Sequence, residues 1–391
     1  MLAKIRPVGA KVYQSQDVPA DISWKTNYQY IYTNSGTAAL SLAVAAAMRE
    51  KAASIIDVPE VILPAYACPD LVAALMAQGA SPVLVDLEAD SFFLDLEKLQ
   101  AAISANTVAI VAVNFLGMYE RLLQLRKVAD ARGVLLIEDS AQAPLPISAN
   151  EGCADFAILS YGRGKPVNLM GGGALLFKPT YAASVSDIVA NLRSSRIVVD
   201  WVWKLKAFVV NTLIMRYPYG LLERLPFLNI GATQYHPLQS IELREGLDPL
   251  VSEGIKHFYM LRADKAAAYR QGLAGIEDIG WTLLASGDGC VDEGSAQRGL
   301  LRFPILAPSR AARDHLEIEL NRRGYGANAF YRFPLHRIEG VKSRVKNGDA
   351  DFPIASTFAD RLLTLPCHEG ITDDEVADVI AIVKAAAKLD C

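Results

Sequence analysis

Val108–Ile137 reads VAIVAVNFLGMYERLLQLRKVADARGVLLI. The run from Val108 to Phe115 is almost purely apolar, as a strand buried on both faces must be. A helical stretch follows from Arg121 to Arg132 and stops at Gly133, a residue that ends helices at no steric cost. Val134 to Ile137 is apolar again. Two buried strands joined through a helix form a parallel crossover, and that unit decides the fold.

The same rhythm repeats on both sides. Toward the N-terminus, Pro82 to Leu87 and Val61 to Leu63 read as strands, with helices at Leu94 to Ala102 and at Asp70 to Gln78, the latter closed by Gly79. From Tyr28 a short β-like run leads through a turn at Asn34-Ser35-Gly36 into a helix rich in Ala and Leu. Toward the C-terminus, Phe156 to Leu159 runs into a glycine-rich loop carrying Lys165, and Ala174 to Phe177 is apolar once more. This alternation predicts an α/β fold: a large domain with a mainly parallel, doubly wound sheet whose ligands sit beyond the strands' C-terminal ends. Residues 1–25 read as an N-terminal arm and 26–247 as the large, cofactor-binding domain. From 248 to 391 the pattern changes, with helical stretches at Ile255–Leu273, Ser309–Arg323 and Asp373–Lys388 and a short strand at Leu300 to Ile305. A smaller C-terminal α+β domain is expected there.

Composition narrows the function. At 391 residues, 52% hydrophobic and 21% charged, the chain has material for a large core, which excludes global disorder. A net charge of −4 offers no basic face for nucleic acid. The five cysteines (Cys68, Cys153, Cys290, Cys367, Cys391) are scattered without a CxxC pair. Neither a metal site nor a disulfide framework is expected, and a reducing cytoplasm fits best. The most apolar segment, Ile197 to Leu222 within a divergent stretch 197–228, is interrupted by Asp200, Lys204, Lys206 and Arg216. Too short to span a bilayer, it reads as a buried or interface helix. Trp201, Trp203, Lys204 and Lys206 would also suit peripheral contact with membrane headgroups.

Polar residues collect where strands end: Tyr66, Asn114, Glu138, Asp139 and Ser160. Ser35-Gly36-Thr37 opens a helix, and its free N–H groups with the Thr37 hydroxyl make either a phosphate cup or an ordinary N-cap. Lys165 stands among glycines between two buried strands: it is either a solvated loop lysine or, in the floor of a cleft, an ε-amine readily deprotonated and able to condense with a carbonyl. Pyridoxal phosphate needs such an amine, and it needs a carboxylate against its pyridine nitrogen. Asp139 is placed for the latter role, Gln142 for the ring's phenolic oxygen, and Ser160 for the phosphate.

In order along the chain, SGTAAL, ILPAY, SPVLVDLEADSFFLDLEKLQAAI, VLLIEDSAQA and ILSYGRGK…GGGALLF, then FYRFPLH, DFPIAS and RLLTLPCHEGITDDEVADVIAIV, resemble the DegT/StrS-type sugar aminotransferases of the fold-type-I pyridoxal phosphate enzymes. The resemblance covers roughly residues 30–180 and 300–390. It implies that Lys165 binds the cofactor's aldehyde and shuttles a proton, and that Asp139 and Gln142 contact the ring. Ser35, Gly36, Thr37 and Ser160 would surround the phosphate. It further implies transfer of an amino group from an amino acid, usually glutamate, to a keto sugar linked to a nucleotide, in a homodimer whose sites are completed across the interface. Family dehydratases carry histidine at the lysine's position, so Lys165 argues against that chemistry. A non-catalytic scaffold docked through 197–228 is disfavoured by the presence of both Lys165 and Asp139.

The departures are as informative. Cys68 stands where the family has an aromatic residue stacked on the ring, with Tyr66 as a possible replacement. The glycine run Gly171-Gly172-Gly173 lacks its usual acidic residue. No Asn-x-Arg motif is recognisable near 190–250, where Gln234-Tyr235-His236 lies instead. His336 in PLH either follows the family pattern near the cleft or caps a loop, and Arg332 and Arg337 either clamp a donor carboxylate or are surface charges.

Overall fold

A computed structural model of the chain describes residues 3–13, 28–143, 152–225, 233–260, 264–285 and 300–389. Much of the expected arm, the end of the apolar segment at 226–228, and Cys290 and Cys391 lie outside the described residues.

Apolar runs without polar alternation become strands covered on both faces, all but the more exposed first one. These are β1 (Gln29–Thr33), β2 (Glu60–Pro64), β3 (Ser81–Val85), β4 (Thr107–Val113), β5 (Leu135–Asp139), β6 (Phe156–Ser160) and β7 (Gly173–Phe177). With two short additions, β8 (Ser194–Arg196) and β9 (Leu243–Glu245), they form a nine-stranded sheet ordered β3-β2-β4-β5-β6-β7-β1-β9-β8. The strands from β3 through β6 pair in parallel, while β7 runs antiparallel to both β6 and β1. The mainly parallel sheet is therefore present. The short pair β8 and β9, too polar for a pattern based on apolar runs, extends its far edge.

The helices that shape the site are α1 (Gly36–Glu50), α2 (Pro69–Met76), α3 (Leu96–Ala102) and α4 (Leu122–Arg132). Ser35 caps α1 by accepting from the Ala38 N–H at 3.0 Å. Almost every α1 residue from Ala38 to Ala47 is buried, which its Ala-rich sequence allows because small side chains let the helix lie close to the sheet. Pro69 starts α2 without needing an N–H, and Gly133 ends α4 with φ +64°.

A second sheet is antiparallel throughout: β10 (Thr282–Leu283), β11 (Arg302–Leu306) and β12 (Leu362–Pro366). Trp281, Tyr269, Phe303, Leu316 and Val379 form its core. The chain between β11 and β12 then returns to the first core, where Leu335, Ile338, Phe352 and Phe358 pack with Tyr66 and Phe115. The two sheets thus share a wall, and the site lies along it.

Of the two expectations for 197–228, a buried or an interface helix, burial within the chain is corrected. Helices Trp201–Leu213 and Arg216–Leu222 lie on the surface, and in each a single small residue is buried, Ala207 and Gly220. The segment is anchored by polar bonds: Asn211 pairs with the backbone of Val12 at 2.8 and 2.9 Å, and Arg216 holds Glu375 and the Gly370 carbonyl. Among the described residues no helix is long and apolar enough to cross a membrane.

Candidate active site

The C-terminal ends of β4, β5 and β6 and the N-terminus of α1 converge on an open cavity. Gly36, Thr37, Asp139, Gln142, Ser160 and Lys165 all line it. These residues span 130 positions of sequence and come together because parallel strands deliver their C-terminal residues to one edge. Ser35 is the exception among the expected site residues. Its hydroxyl is spent on the α1 cap, and it does not line the cavity.

Glycine sets how closely the parts approach. A Cβ on Gly36 would fall 2.6 Å from the Ser160 Cβ, and one on Gly173 would fall 2.6 Å from the Gly36 nitrogen. Gly172, at φ +99°, bridges Ser35 and donates to the Asn34 carbonyl at 3.0 Å. The glycine run is thus the seam where the start of β7 meets the start of α1, and steric closeness explains its composition.

Asp139 ends β5 and is 5% exposed. Burial pushes its carboxyl pKa up, while the Ala141 N–H, bonded at 2.9 Å, and the charge of Lys165 pull it back. It has no ion-pair partner among the described residues. Behind it Asn114 donates to Glu138 at 2.7 Å and to Ser140 at 2.8 Å, a buried network that fixes the strand ends. Gln142 stands on a turn, and its amide oxygen accepts from Leu116 N–H at 2.9 Å, which leaves its amino group as the donor. Lys165 is half-buried on the loop after β6, facing Asp139 and Cys68 across the cavity.

The aromatic walls differ from expectation. Tyr66 is buried off the cavity, its hydroxyl donating to the Tyr331 carbonyl at 2.8 Å. Phe115 and Tyr331 line the cavity instead, beside Cys68 at the head of α2. The Tyr331 hydroxyl hydrogen-bonds Cys68, and burial pushes the Cys68 thiol up to about 12. Phe115 was legible as the residue after Asn114 at a strand end; Tyr331 lay in FYRFPLH with nothing local to single it out.

Other candidates go elsewhere. His336 and Arg337 line a separate pocket with Lys342 and Asp351. Arg332 Nη2 donates to both carboxylate oxygens of Glu317 at 2.8 and 2.9 Å, an exposed pair away from the cavity. Tyr235 packs beneath the Arg344 guanidinium. Among the described residues no group of His, Cys, Asp and Glu has the arrangement of a metal site.

Comparison with known proteins agrees with this architecture. The sequence pattern of the DegT/DnrJ/EryC1/StrS aminotransferase family matches residues 25–194 and 253–384. The chain is 24% identical over 357 residues to a dTDP-4-dehydro-2,3,6-trideoxy-D-glucose 4-aminotransferase of Saccharopolyspora spinosa, covering 90% of this chain and 82% of that protein. It is 37% identical over 110 residues to the L-glutamine:2-deoxy-scyllo-inosose aminotransferase of Streptomyces kanamyceticus, a match that covers 28% of this chain and only 24% of that protein. Among solved structures, NtdA from Bacillus subtilis with bound cofactor PMP superposes with a TM-score of 0.66 at 18% identity, covering 93% of this chain and 74% of that one.

Proposed function

The chain belongs to the DegT/DnrJ/EryC1/StrS aminotransferase family, and we propose that it moves an amino group from an amino acid, glutamate, to the keto group of a nucleotide-linked sugar. The observation that carries this reading is the convergence of Thr37, Asp139, Gln142, Ser160 and Lys165 on one cavity. The names of the relatives, a dTDP-sugar aminotransferase among them, support the acceptor class.

The residues fit pyridoxal phosphate. Asp139 is a buried carboxylate with no ion-pair partner among the described residues, and a protonated pyridine nitrogen would supply one. Gly36 and Thr37 are the first residues of α1, whose N–H groups the helix itself cannot satisfy; with the hydroxyls of Thr37 and Ser160 they form a cradle for a phosphate. Bound there, the cofactor supplies an electron sink for the bond broken beside the amino group. Lys165 Nζ takes the proton from the substrate carbon that carries the amino group and returns it when the keto acceptor is aminated. Gln142 holds the ring oxygen, and Phe115, Tyr331 and Cys68 close the apolar side against water. The large unit 26–247 carries the cofactor contacts, the unit from 248 carries Tyr331, and two chains form a homodimer.

The test is the absorbance of purified protein. The reading expects a visible-edge band from lysine-bound cofactor, its loss on adding glutamate, and its return on adding a keto sugar nucleotide. A protein that stays colourless after incubation with pyridoxal phosphate overturns it, and sedimentation at monomer mass overturns the dimer.

A second reading concerns the surface helix Trp201–Leu213. Trp201 is 75% exposed and Phe208 67%, with Leu205 also exposed. The helix's own charged residues, Lys204 and Lys206, are exposed beside them and both are basic. Apolar side chains flanked by lysines match an anionic membrane surface, which we propose as its contact.

A further inference from the structure

Beside the first cavity lies a second chamber that shares Gln142, Lys165 and Tyr331 with it. Its wall includes Arg163, Arg302 and Phe330, and among the described residues no Asp or Glu lines it. Arg302 opens β11 and is paired opposite Pro366 of β12, so its backbone is held on that side by the small sheet. Its guanidinium carbon lies 4.7 Å from the centroid of the Phe330 ring. Nη1 is buried and has no hydrogen-bond partner, and no carboxylate pairs with Arg302 among the described residues. Burial lowers its pKa to about 10, and the neighbours that offset this are the tyrosines 331, 219 and 66 rather than an acid.

A guanidinium held dry and without a counter-ion is costly, and it is relieved by a planar anion that accepts two parallel N–H bonds. Arg332, the sequence-based candidate for such a clamp, is occupied by Glu317, and Arg337 lies in another pocket. We propose that Arg302 binds the carboxylate of the amino-acid donor, which it holds in the chamber beside Lys165. The inference rests on the aminotransferase reading for the identity of the donor; the existence of a carboxylate site at Arg302 does not depend on it. Contact with the Phe330 ring, which lines the same chamber, restricts the guanidinium to that wall. Arg163, exposed at the rim of the same chamber, adds long-range attraction for an anion without the same positional constraint.

Two measurements test this. In the first, glutarate, a dicarboxylate that lacks an amino group, is titrated calorimetrically into wild-type, Arg302→Gln and Arg302→Lys proteins, each checked for an unchanged circular dichroism spectrum. The expected result is binding to wild type, at least tenfold weaker binding to Arg302→Gln, and an intermediate value for Arg302→Lys. Equal binding by all three, or binding of pyrophosphate but not glutarate, overturns the assignment. In the second, the loss of the lysine-bound cofactor band is followed against glutamate concentration. The half-saturating glutamate concentration is expected to rise at least tenfold in Arg302→Gln, while the reverse half-reaction with an amino sugar nucleotide keeps its wild-type half-saturation. A rise confined to the amino sugar overturns the proposal. If wild type reacts with no amino acid, the aminotransferase reading fails while the glutarate result still decides whether Arg302 is a carboxylate site.

Discussion

Gly36 and Ser160 approach so closely that a Cβ on Gly36 would lie 2.6 Å from the Ser160 Cβ and 2.9 Å from its hydroxyl oxygen. Neither neighbour is free to move, since α1 is buried along its length and Ser160 ends β6, opposite Gly173 of β7. Gly36→Ala therefore pushes the first turn of α1 away from the hydroxyl that shares its phosphate cradle. The expected outcome is a folded protein whose affinity for pyridoxal phosphate falls at least tenfold, equivalent to about 1.4 kcal/mol, measured by fluorescence titration. Unchanged affinity would show that the cradle lies elsewhere. Ser160→Ala removes one hydrogen bond without displacing the helix and is expected to cost less.

Asp139 and Lys165 separate by their readouts. Asp139→Asn keeps the shape of the side chain but removes the charge that a protonated ring nitrogen needs, so cofactor still binds and turnover falls by about 100-fold or more, the scale of lost acid–base and electrostatic catalysis. Lys165→Ala abolishes both turnover and the visible-edge band. An Asp139→Asn variant with near wild-type kcat would remove Asp139 from the ring.

The sequence disclosed those parts of the site that depend on local pattern. Strand ends, the Gly36 helix start and the lone Lys165 each carry a signal within a few residues, and parallel topology then brings them together. Tyr331 and Arg302 carry no such signal, because they reach the site only when the small sheet docks on the large one. His336 and Arg332 misled for the complementary reason: PLH and FYR lie near the cleft in sequence, but Glu317 and the turn at Leu335–Arg337 take their side chains away. The apolar segment misled in a third way. Hydrophobic composition suggests burial, yet helix Trp201–Leu213 buries only Ala207 and is held by Asn211, a polar contact that periodicity does not register.

His368 gives a pH signature for stability. Its ring is buried, with Nδ1 accepting from Gly370 N–H at 2.9 Å, so Nε2 carries the proton donated to the Arg6 carbonyl at 2.8 Å. Burial, with Arg6 and Lys265 nearby, lowers its pKa from 6.5 to about 3. The unfolded chain therefore takes up a proton before the folded one does. Stability is full above pH 6.5 and falls as pH drops toward 3, by up to about 1.4 kcal/mol per pH unit from this group. Urea midpoints at pH 7 and pH 5 check it: wild type should lose more stability over that interval than His368→Gln. Equal losses would show that another group controls acid unfolding.

Cys68 is expected to be chemically quiet. Reactive cysteines need thiolate, and burial pushes this thiol up to about 12, with Asp70 opposing ionisation further. In native protein at pH 7.5 a thiol reagent should leave Cys68 unmodified, as judged by peptide mass mapping, and reach it after denaturation. Rapid native labelling at Cys68 would show a cavity wetter and more positive than its lining implies.

The surface helix yields a prediction that separates membrane contact from stability. Trp201 and Phe208 are mostly exposed, so Trp201→Ala/Phe208→Ala removes little packing and should leave the thermal midpoint near that of wild type. Their insertion among lipid headgroups would bury large aromatic surfaces, while Lys204 and Lys206 meet acidic phosphates. Wild-type protein is then expected to sediment with phosphatidylglycerol vesicles, to remain in solution with phosphatidylcholine vesicles, and to be released as salt screens the lysines. The double variant should stay in solution with both. Sedimentation that ignores the aromatic substitutions, or none in wild type, removes the membrane from the reading and leaves the exposed face for another partner.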